Sequence, residues 1–110
     1  MFITTQDQFE DNRIKKTFGL VQGSTIRARH IGTDILAGLR NIVGGEVHEY
    51  TKMLAESREQ ALDRMKAEAE ELGANAIVCM RFTTSTIMSG MAEFLAYGTA
   101  VIIEPKSTHD

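Results

Sequence analysis

Few side chains in this sequence could bind a soft metal ion. Cys79 is the only cysteine among 110 residues, and its apolar neighbours Val78 and Met80 suggest burial. An apolar environment disfavours the thiolate, which is the form that reacts and binds metals. Cys79 is therefore either a structural residue or a reactive or metal-binding one. His30, beside Arg29 at the end of a predicted strand, is a lone imidazole that would become a cluster in a ring of identical chains. We therefore take His30 and Cys79 as candidate metal ligands, in a site completed between subunits.

The uneven distribution of charge suggests a second kind of chemistry, the binding of anions. The segment 12–33 holds only basic charged residues, whereas the segment 46–71 is rich in glutamate. This pattern is compatible with an anion-binding surface, with complementary faces that steer assembly, or with ordinary solvated faces. The polar residues near the ends of the first predicted helix could line a site or only hold its caps. The candidate ligand-binding residues are Arg29, Asp34, Arg40 and Asn41, and an enzyme capturing an anionic substrate would use Arg27, Arg29 or Arg40.

The motifs of common enzymes are absent from the sequence. The run that starts at His48 begins like the zinc-protease helix, but Lys52 occupies the position of the second ligand. No phosphate-binding loop, nucleophile with its base, or paired carboxylates can be assembled from the spacing. Nucleic-acid binding lacks support because there is no tryptophan and no recognisable binding motif. An enzyme would need a site shared between subunits, and a transition or heavy metal ion is the candidate cofactor.

Length and composition indicate one globular domain. The 110 residues carry 12 Lys and Arg against 15 Asp and Glu, and 43% of them are apolar. We assign a single domain to residues 1–105 and a short polar tail to 106–110. The longest uninterrupted apolar run, Ala76–Met80, is far shorter than the roughly 20 residues that span a bilayer. With no export signal expected and a single thiol, the composition favours a cytoplasmic location.

The amino-terminal half predicts a strand followed by a helix. The region from Ile14 to Ile31 is expected to be extended, with Ile14, Phe18 and Leu20 on one face. Two glycines within it, at positions 19 and 23, mark places where the strand bends or another backbone comes close. A helix is then expected to begin at Thr33 or Asp34 and to end before the glycine pair at 44–45.

The carboxy-terminal half predicts a long helix followed by a hairpin. The helix runs from about His48 to Leu72, with a buried seam expected at Val47, Tyr50, Leu54, Ala61, Met65 and Leu72. From Ala76 the period changes to two. Alternation then places Val78, Met80 and Phe82 on one face, with Ile77, Cys79 and Arg81 on the other. Residues 88–91 form a hairpin connection, and the return strand extends from Ala92 to Glu104.

The return strand predicts association between chains. From Gly98 to Ile103 it is apolar on both faces, so both faces must be covered. Two helices can cover one face of the sheet. We therefore expect another subunit to cover the second face, in a homo-oligomer.

Four runs of residues carry a family resemblance. They are Phe18 to Gly23, Asp34 to Gly45 with Tyr50 following, Leu72 to Val78, and Gly98 to Val101. In order and spacing they resemble the bacterial YbjQ family over nearly the whole chain. The resemblance implies small α+β subunits, similar to those of dodecin, that assemble into a pentameric ring. It also implies the family's usual description, a heavy-metal-binding domain of uncharacterised function, and it brings no catalytic residues.

Together these observations predict the α+β class, with two helices packed on a mainly antiparallel sheet whose strands join across subunits in a ring. The predicted function is a non-enzymatic oligomeric binding or scaffold module that holds a small ligand or metal between chains. The alternatives are a small enzyme with an inter-subunit site for an anionic substrate, and a purely structural assembly partner.

Overall fold

The computed structural model describes residues 1–27, 48–88 and 91–107. They form the strands β1 (Phe2–Ile3), β2 (Asn12–Arg27), β3 (Ala76–Met88) and β4 (Met91–Pro105), and the helix α1 (His48–Leu72). The sheet order is β1-β3-β4-β2, with β1 parallel to β3 and the other pairs antiparallel. This confirms the α+β class, with one helix on a four-stranded mixed sheet, while the helix expected over 33–43 lies outside the described residues.

Helix α1 packs on the sheet through residues spaced one turn apart, three of which are small. Its fully buried positions follow a regular i, i+4 series: Ser57, Ala61, Met65 and Ala69. At Gly23 of β2, a Cβ atom would lie 2.3 Å from the carbonyl oxygen of Ala61, so only glycine permits this close contact. The expected bounds of the helix are confirmed, but the seam is partly wrong because Leu72 is 46% exposed. None of the described helices is long and apolar enough to cross a membrane.

The connection from α1 to β3 is built from hydrogen bonds between residues close in sequence. Gly73 has φ +91°, its N–H donates to Glu70 O, and the Ala74 N–H donates to Ala69 O, as in a Schellman motif. Asn75 then bonds to β4 as if it were another strand residue. Its side chain accepts from Ile103 N at 2.8 Å and donates to Ile103 O at 3.0 Å. Asn75 lies within the run Leu72 to Val78 that carries the family resemblance, and these two bonds give it a structural role.

The described strands contain four register shifts, and those at Val78/Arg81 and Thr17/Gly19 change which core side chains share a face. The register shifts between Val78 and Arg81, so Ile77 and Met80 both join the core beneath α1 while Val78 belongs to the opposite face. The expected alternation along β3 is therefore wrong beyond Val78, because a β-bulge adds one residue and reverses the faces. A second shift lies next to Gly19 in β2.

The bulge in β2 separates two residues that were expected to lie together. Gly19 has φ +115°, a conformation that strongly favours glycine. Phe18 packs against the core beneath α1, whereas Leu20 is 66% exposed on the opposite face. The expected shared face of Phe18 and Leu20 is therefore wrong. The expectation that position 19 bends the strand is confirmed.

The same chain covers much of the second face of β4. Val101 and Ile103 are buried there with Ala76 and Val78, and Phe9 from the amino-terminal segment packs against them. Meanwhile Ala100 lies in the core beneath α1. The second face of β4 was expected to need a second subunit as its cover. At Val101 and Ile103 this expectation is wrong, because residues of the same chain bury both. The homo-oligomer stays a prediction.

The outer half of β3, Arg81–Met88, is exposed along its whole length. It pairs with β4 on one side, but no described strand pairs with its other side beyond the short β1 contact at Ala76 and Ile77. The chain is correspondingly elongated, 61 × 27 × 15 Å. Its radius of gyration is 17.8 Å, against about 13 Å for a compact domain of this length.

Candidate functional site

The candidate metal ligand Cys79 lies at the bulge of β3. Its φ is +55°, which non-glycine residues rarely adopt and which costs on the order of 1–3 kcal/mol. The amino-terminal segment supports this conformation: Cys79 N donates to Gln6 O at 2.8 Å, and Met80 N donates to Thr4 O at 3.1 Å. Arg81 adds a bond from Nη1 to Thr5 O at 2.7 Å. The bulge is thus stabilised by the amino-terminal segment, which is distant from it in sequence.

Cys79 borders a surface cavity of about 600 Å³. Its walls come from the amino-terminal segment and the bulge, namely Thr5, Gln6, Asp7, Gln8, Glu10, Cys79 and Arg81. These side chains carry a thiol, two carboxylates, two amides, a hydroxyl and a guanidinium. Cys79 is half-buried, so the burial expected from its neighbours is only partial.

One chain does not supply a complete metal site within the described residues. In ranges 1–27, 48–88 and 91–107, no group of three or more His, Cys, Asp or Glu side chains is placed to hold one ion. Cys79 shares its cavity with Asp7 and Glu10, but soft ions prefer several sulfur or nitrogen ligands. The donors of one described chain therefore do not fit a heavy-metal ion by themselves.

The other candidate residues cannot be placed beside Cys79. His30 as a metal ligand, and Arg29, Asp34, Arg40 and Asn41 as ligand-binding residues, all lie outside the described residues. Of the side chains proposed to capture an anion, Arg27 is the one that the structure describes.

Arg27 is half-buried between β2 and α1 and contacts a buried polar residue of the helix. Its Nε donates to Ser57 Oγ at 2.6 Å, and the Ser57 hydroxyl donates to Met53 O at 2.8 Å. Ser57 is fully buried, and Thr25 is 4% exposed. Arg27 Nη2 and Thr25 Oγ1 are both buried without a hydrogen-bond partner in the described part of the chain. Leaving such a group unsatisfied typically costs about 1–3 kcal/mol.

Thr25 and Ser57 were not identified from the sequence. Thr25 precedes Arg27 by two residues, so strand alternation alone could have placed both on one face. Ser57 lies one turn before Ala61, in line with the buried seam. A polar residue in an apolar helix seam is the signal that could have found it.

Part of the basic character of β2 is neutralised within the chain. Arg13 Nε donates to Glu104 Oε1 at 2.6 Å, and Lys15 Nζ lies 4.0 Å from Glu104 Oε2. These pairs are well exposed, so each contributes at most about 1 kcal/mol. Arg27 makes no such pair with a carboxylate among the residues that the structure describes.

Comparison with solved structures supports the fold. A crystal structure of a protein of unknown function from Pediococcus pentosaceus, assigned to the DUF74 family, superimposes with a TM-score of 0.58. The match covers 94% of this chain and 98% of that one, at 19% sequence identity. At this identity the likeness concerns the fold alone.

Comparison of sequences gives much closer relatives in bacteria and archaea. A UPF0145 protein of Methanococcus maripaludis is 63% identical over 101 residues, which cover 92% of this chain and 90% of that protein. One from Dehalococcoides mccartyi is 59% identical over 104 residues, covering 94% and 100%. The YbjQ_1 family model, described as "Putative heavy-metal-binding", matches residues 1–104. The chain therefore belongs to the YbjQ family of UPF0145 proteins, as its sequence motifs indicated.

Proposed function

We propose that this protein is a non-enzymatic binding module that works as a ring of identical chains, five in number, in the cytoplasm. The observation that carries the proposal is the exposed outer half of β3. Any small ligand or metal ion is then held where two copies meet.

The outer half of β3 has the composition of a strand that pairs with another strand. From Phe82 to Met88 it contains only Thr, Ser, Ile, Met and Phe, without charged residues or proline. Natural proteins usually protect an exposed edge with charged residues or proline, because an open edge pairs with other chains. Phe82, Ile87 and Met88 are 45%, 48% and 59% exposed. A partner strand would bury them and satisfy the free backbone groups.

A second copy of this chain offers a suitable partner strand. Strand β2 forms the opposite edge of the described sheet, and its residues Ile14 and Leu20 are 41% and 66% exposed. Pairing the β3 edge of one copy with the β2 edge of the next joins two different surfaces. Such head-to-tail contacts close into rings when the rotation per subunit allows it. This supports the ring that the family resemblance implies.

The assembly is tested by native mass spectrometry of the unmodified protein and of a variant with charges added to the edge of β3. The unmodified protein is expected at five times the 12.2 kDa chain. Thr84→Lys combined with Thr86→Lys adds two charges to the edge and should give single chains with unchanged circular dichroism. The matched control, Gln60→Lys with Ala67→Lys, adds the same charge to exposed positions of α1 and should stay assembled. A monomeric unmodified protein at micromolar concentration would refute the proposal.

Heavy-metal binding, in this proposal, depends on the assembly. Cys79 supplies one thiol per chain. It can therefore bind a soft ion only if a neighbouring copy supplies further donors. The same mass spectra, recorded after adding zinc, copper or cadmium, should show bound ions on the unmodified assembly and fewer on Cys79→Ser. Equal metal content in both proteins would exclude Cys79 as a ligand, and no bound ions on the unmodified assembly would contradict metal binding.

A further inference from the structure

Two polar atoms beneath α1 point to a binding site within a single chain. Thr25 and Arg27 lie two residues apart on β2, so their side chains share the face that α1 covers. Thr25 Oγ1 and Arg27 Nη2 are buried, and no described residue accepts a hydrogen bond from either. Among the described residues, these two donors therefore lack an acceptor.

Ser57 holds the guanidinium of Arg27 in place. Its oxygen accepts from Arg27 Nε at 2.6 Å, and its own proton goes to Met53 O at 2.8 Å. Ser57 is fully buried, so this orientation is fixed by the packing of α1 on the sheet. Ser57 is thus a positioning residue that aligns Arg27.

The chemistry of the two donors selects the class of ligand. Guanidinium N–H groups and hydroxyls both donate to the oxygens of carboxylates and phosphates, and the guanidinium also supplies positive charge. A cation would be repelled, and an apolar group would leave both donors unsatisfied. No carboxylate in the described part of the chain forms an ion pair with Arg27.

We propose that Thr25 and Arg27 bind a small oxyanion through its carboxylate or phosphate group, with Ser57 positioning the guanidinium. This inference goes beyond the proposed assembly, because all three residues belong to one chain. Both donor atoms are closed to solvent, so a bound anion is expected to leave slowly and to stabilise the folded chain.

The first experiment asks whether an anion is retained or bound. Purified protein is denatured in acid, and the released phosphate and small carboxylates are quantified per chain. Renatured protein is then heated in phosphate, acetate or chloride at constant ionic strength. We expect retained anion, or a saturable rise in Tm with phosphate or acetate beyond that with chloride. The anion that is retained or that raises Tm identifies the ligand group. If no anion is retained and Tm shows no saturable rise, the proposal is overturned.

Matched variants locate the site. Thr25→Val removes the hydroxyl at constant shape and should weaken binding about tenfold, as expected for one lost hydrogen bond to a charged group. Thr25→Ser keeps the hydroxyl and should bind as the unmodified protein does. Arg27→Gln should abolish the saturable effect, whereas Arg58→Gln removes an equal charge from an exposed position of α1 and should not.

The outcomes separate this site from the assembly. Equal anion binding by Thr25→Val and Thr25→Ser would overturn the proposal, even if Arg27→Gln fails to fold. Native mass spectra of the same variants should show an unchanged subunit number. Loss of anion binding at constant subunit number leaves the proposed assembly intact, and loss of the assembly in the lysine variants leaves this site intact.

Discussion

The two halves of β3 form one continuous strand in opposite environments. The inner half, Ala76–Met80, is buried except for the half-buried Cys79, whereas the outer half, Arg81–Met88, is exposed throughout. Helix α1 and the amino-terminal segment cover the inner half from both faces. The outer half has only its ladder with β4. The comparison shows that strand formation and burial are separate properties.

The largest difference in the free energy of unfolding is expected between a charge placed beside the inner half of β3 and a charge placed beside its outer half. Ala100 is the cross-strand partner of Ile77 in the inner half, and Ala92 is the partner of Thr86 in the outer half. Ala100→Glu puts an unpaired charge in the core, so we expect it to lower the free energy of unfolding by about 3–5 kcal/mol. Ala92→Glu should cost less than about 1 kcal/mol. Urea denaturation of dilute, dissociated chains measures both, and equal losses would remove the distinction.

Two isoleucines in the same strand provide a milder version of the comparison. Ile77 is fully buried and Ile87 is 48% exposed. Ile77→Ala leaves a cavity and is expected to cost about 2–5 kcal/mol, whereas Ile87→Ala should cost about 0.5 kcal/mol or less in the dissociated chain. Thermal and urea unfolding provide the measurement. A large loss at Ile87 in dissociated chains would mean that the outer half is part of the core.

The entry to the inner half depends on Asn75. Asn75→Ala leaves the N–H and C=O of Ile103 without these partners, so we expect a loss of about 1–3 kcal/mol. Hydrogen exchange of the Ile103 amide should accelerate most. Asn75→Asp, which keeps one acceptor, should be less damaging. Unchanged exchange at Ile103 in Asn75→Ala would contradict this role.

The smallest effect is expected at Cys79, where the two halves meet. Cys79→Gly relieves the positive φ by about 1 kcal/mol, but glycine loses more backbone entropy on folding and the thiol packing is removed. We therefore expect the free energy of unfolding to change by less than about 1 kcal/mol. Cys79→Val, β-branched at the same φ, should be clearly destabilising. Equal stability of the glycine and valine variants would show that the bulge relaxes easily.

Local signals were reliable where neighbouring residues decide the structure. The bounds of α1, its glycine stop, the hairpin of β3 with β4 and the special positions of Gly19 and Gly23 all follow from short-range patterns. The candidate site was less accessible to sequence. Cys79 could be selected as the lone thiol, but its cavity with Asp7 and Glu10 required the amino-terminal segment to dock on β3.

The faces of the strands were predicted only up to the first bulge. Alternation correctly separates Ile77 from Val78, but one extra residue at Cys79 moves Met80 to the face of Ile77. The bulge is stabilised by hydrogen bonds that Cys79 N and Met80 N donate to the carbonyl oxygens of Gln6 and Thr4, which are distant in sequence. For the same reason, the second cover of β4 could not be assigned to Phe9 in advance.

By itself, the sequence determined the α+β class, the family and the extent of the helix and hairpin, because spacing, caps and glycine conformations act over a few residues. Tertiary structure alone decided which half of β3 is covered, how Asn75 bonds to β4, and why Arg27 bonds to Ser57 beneath α1. Those outcomes depend on contacts between distant segments, where backbone geometry and packing must be satisfied together.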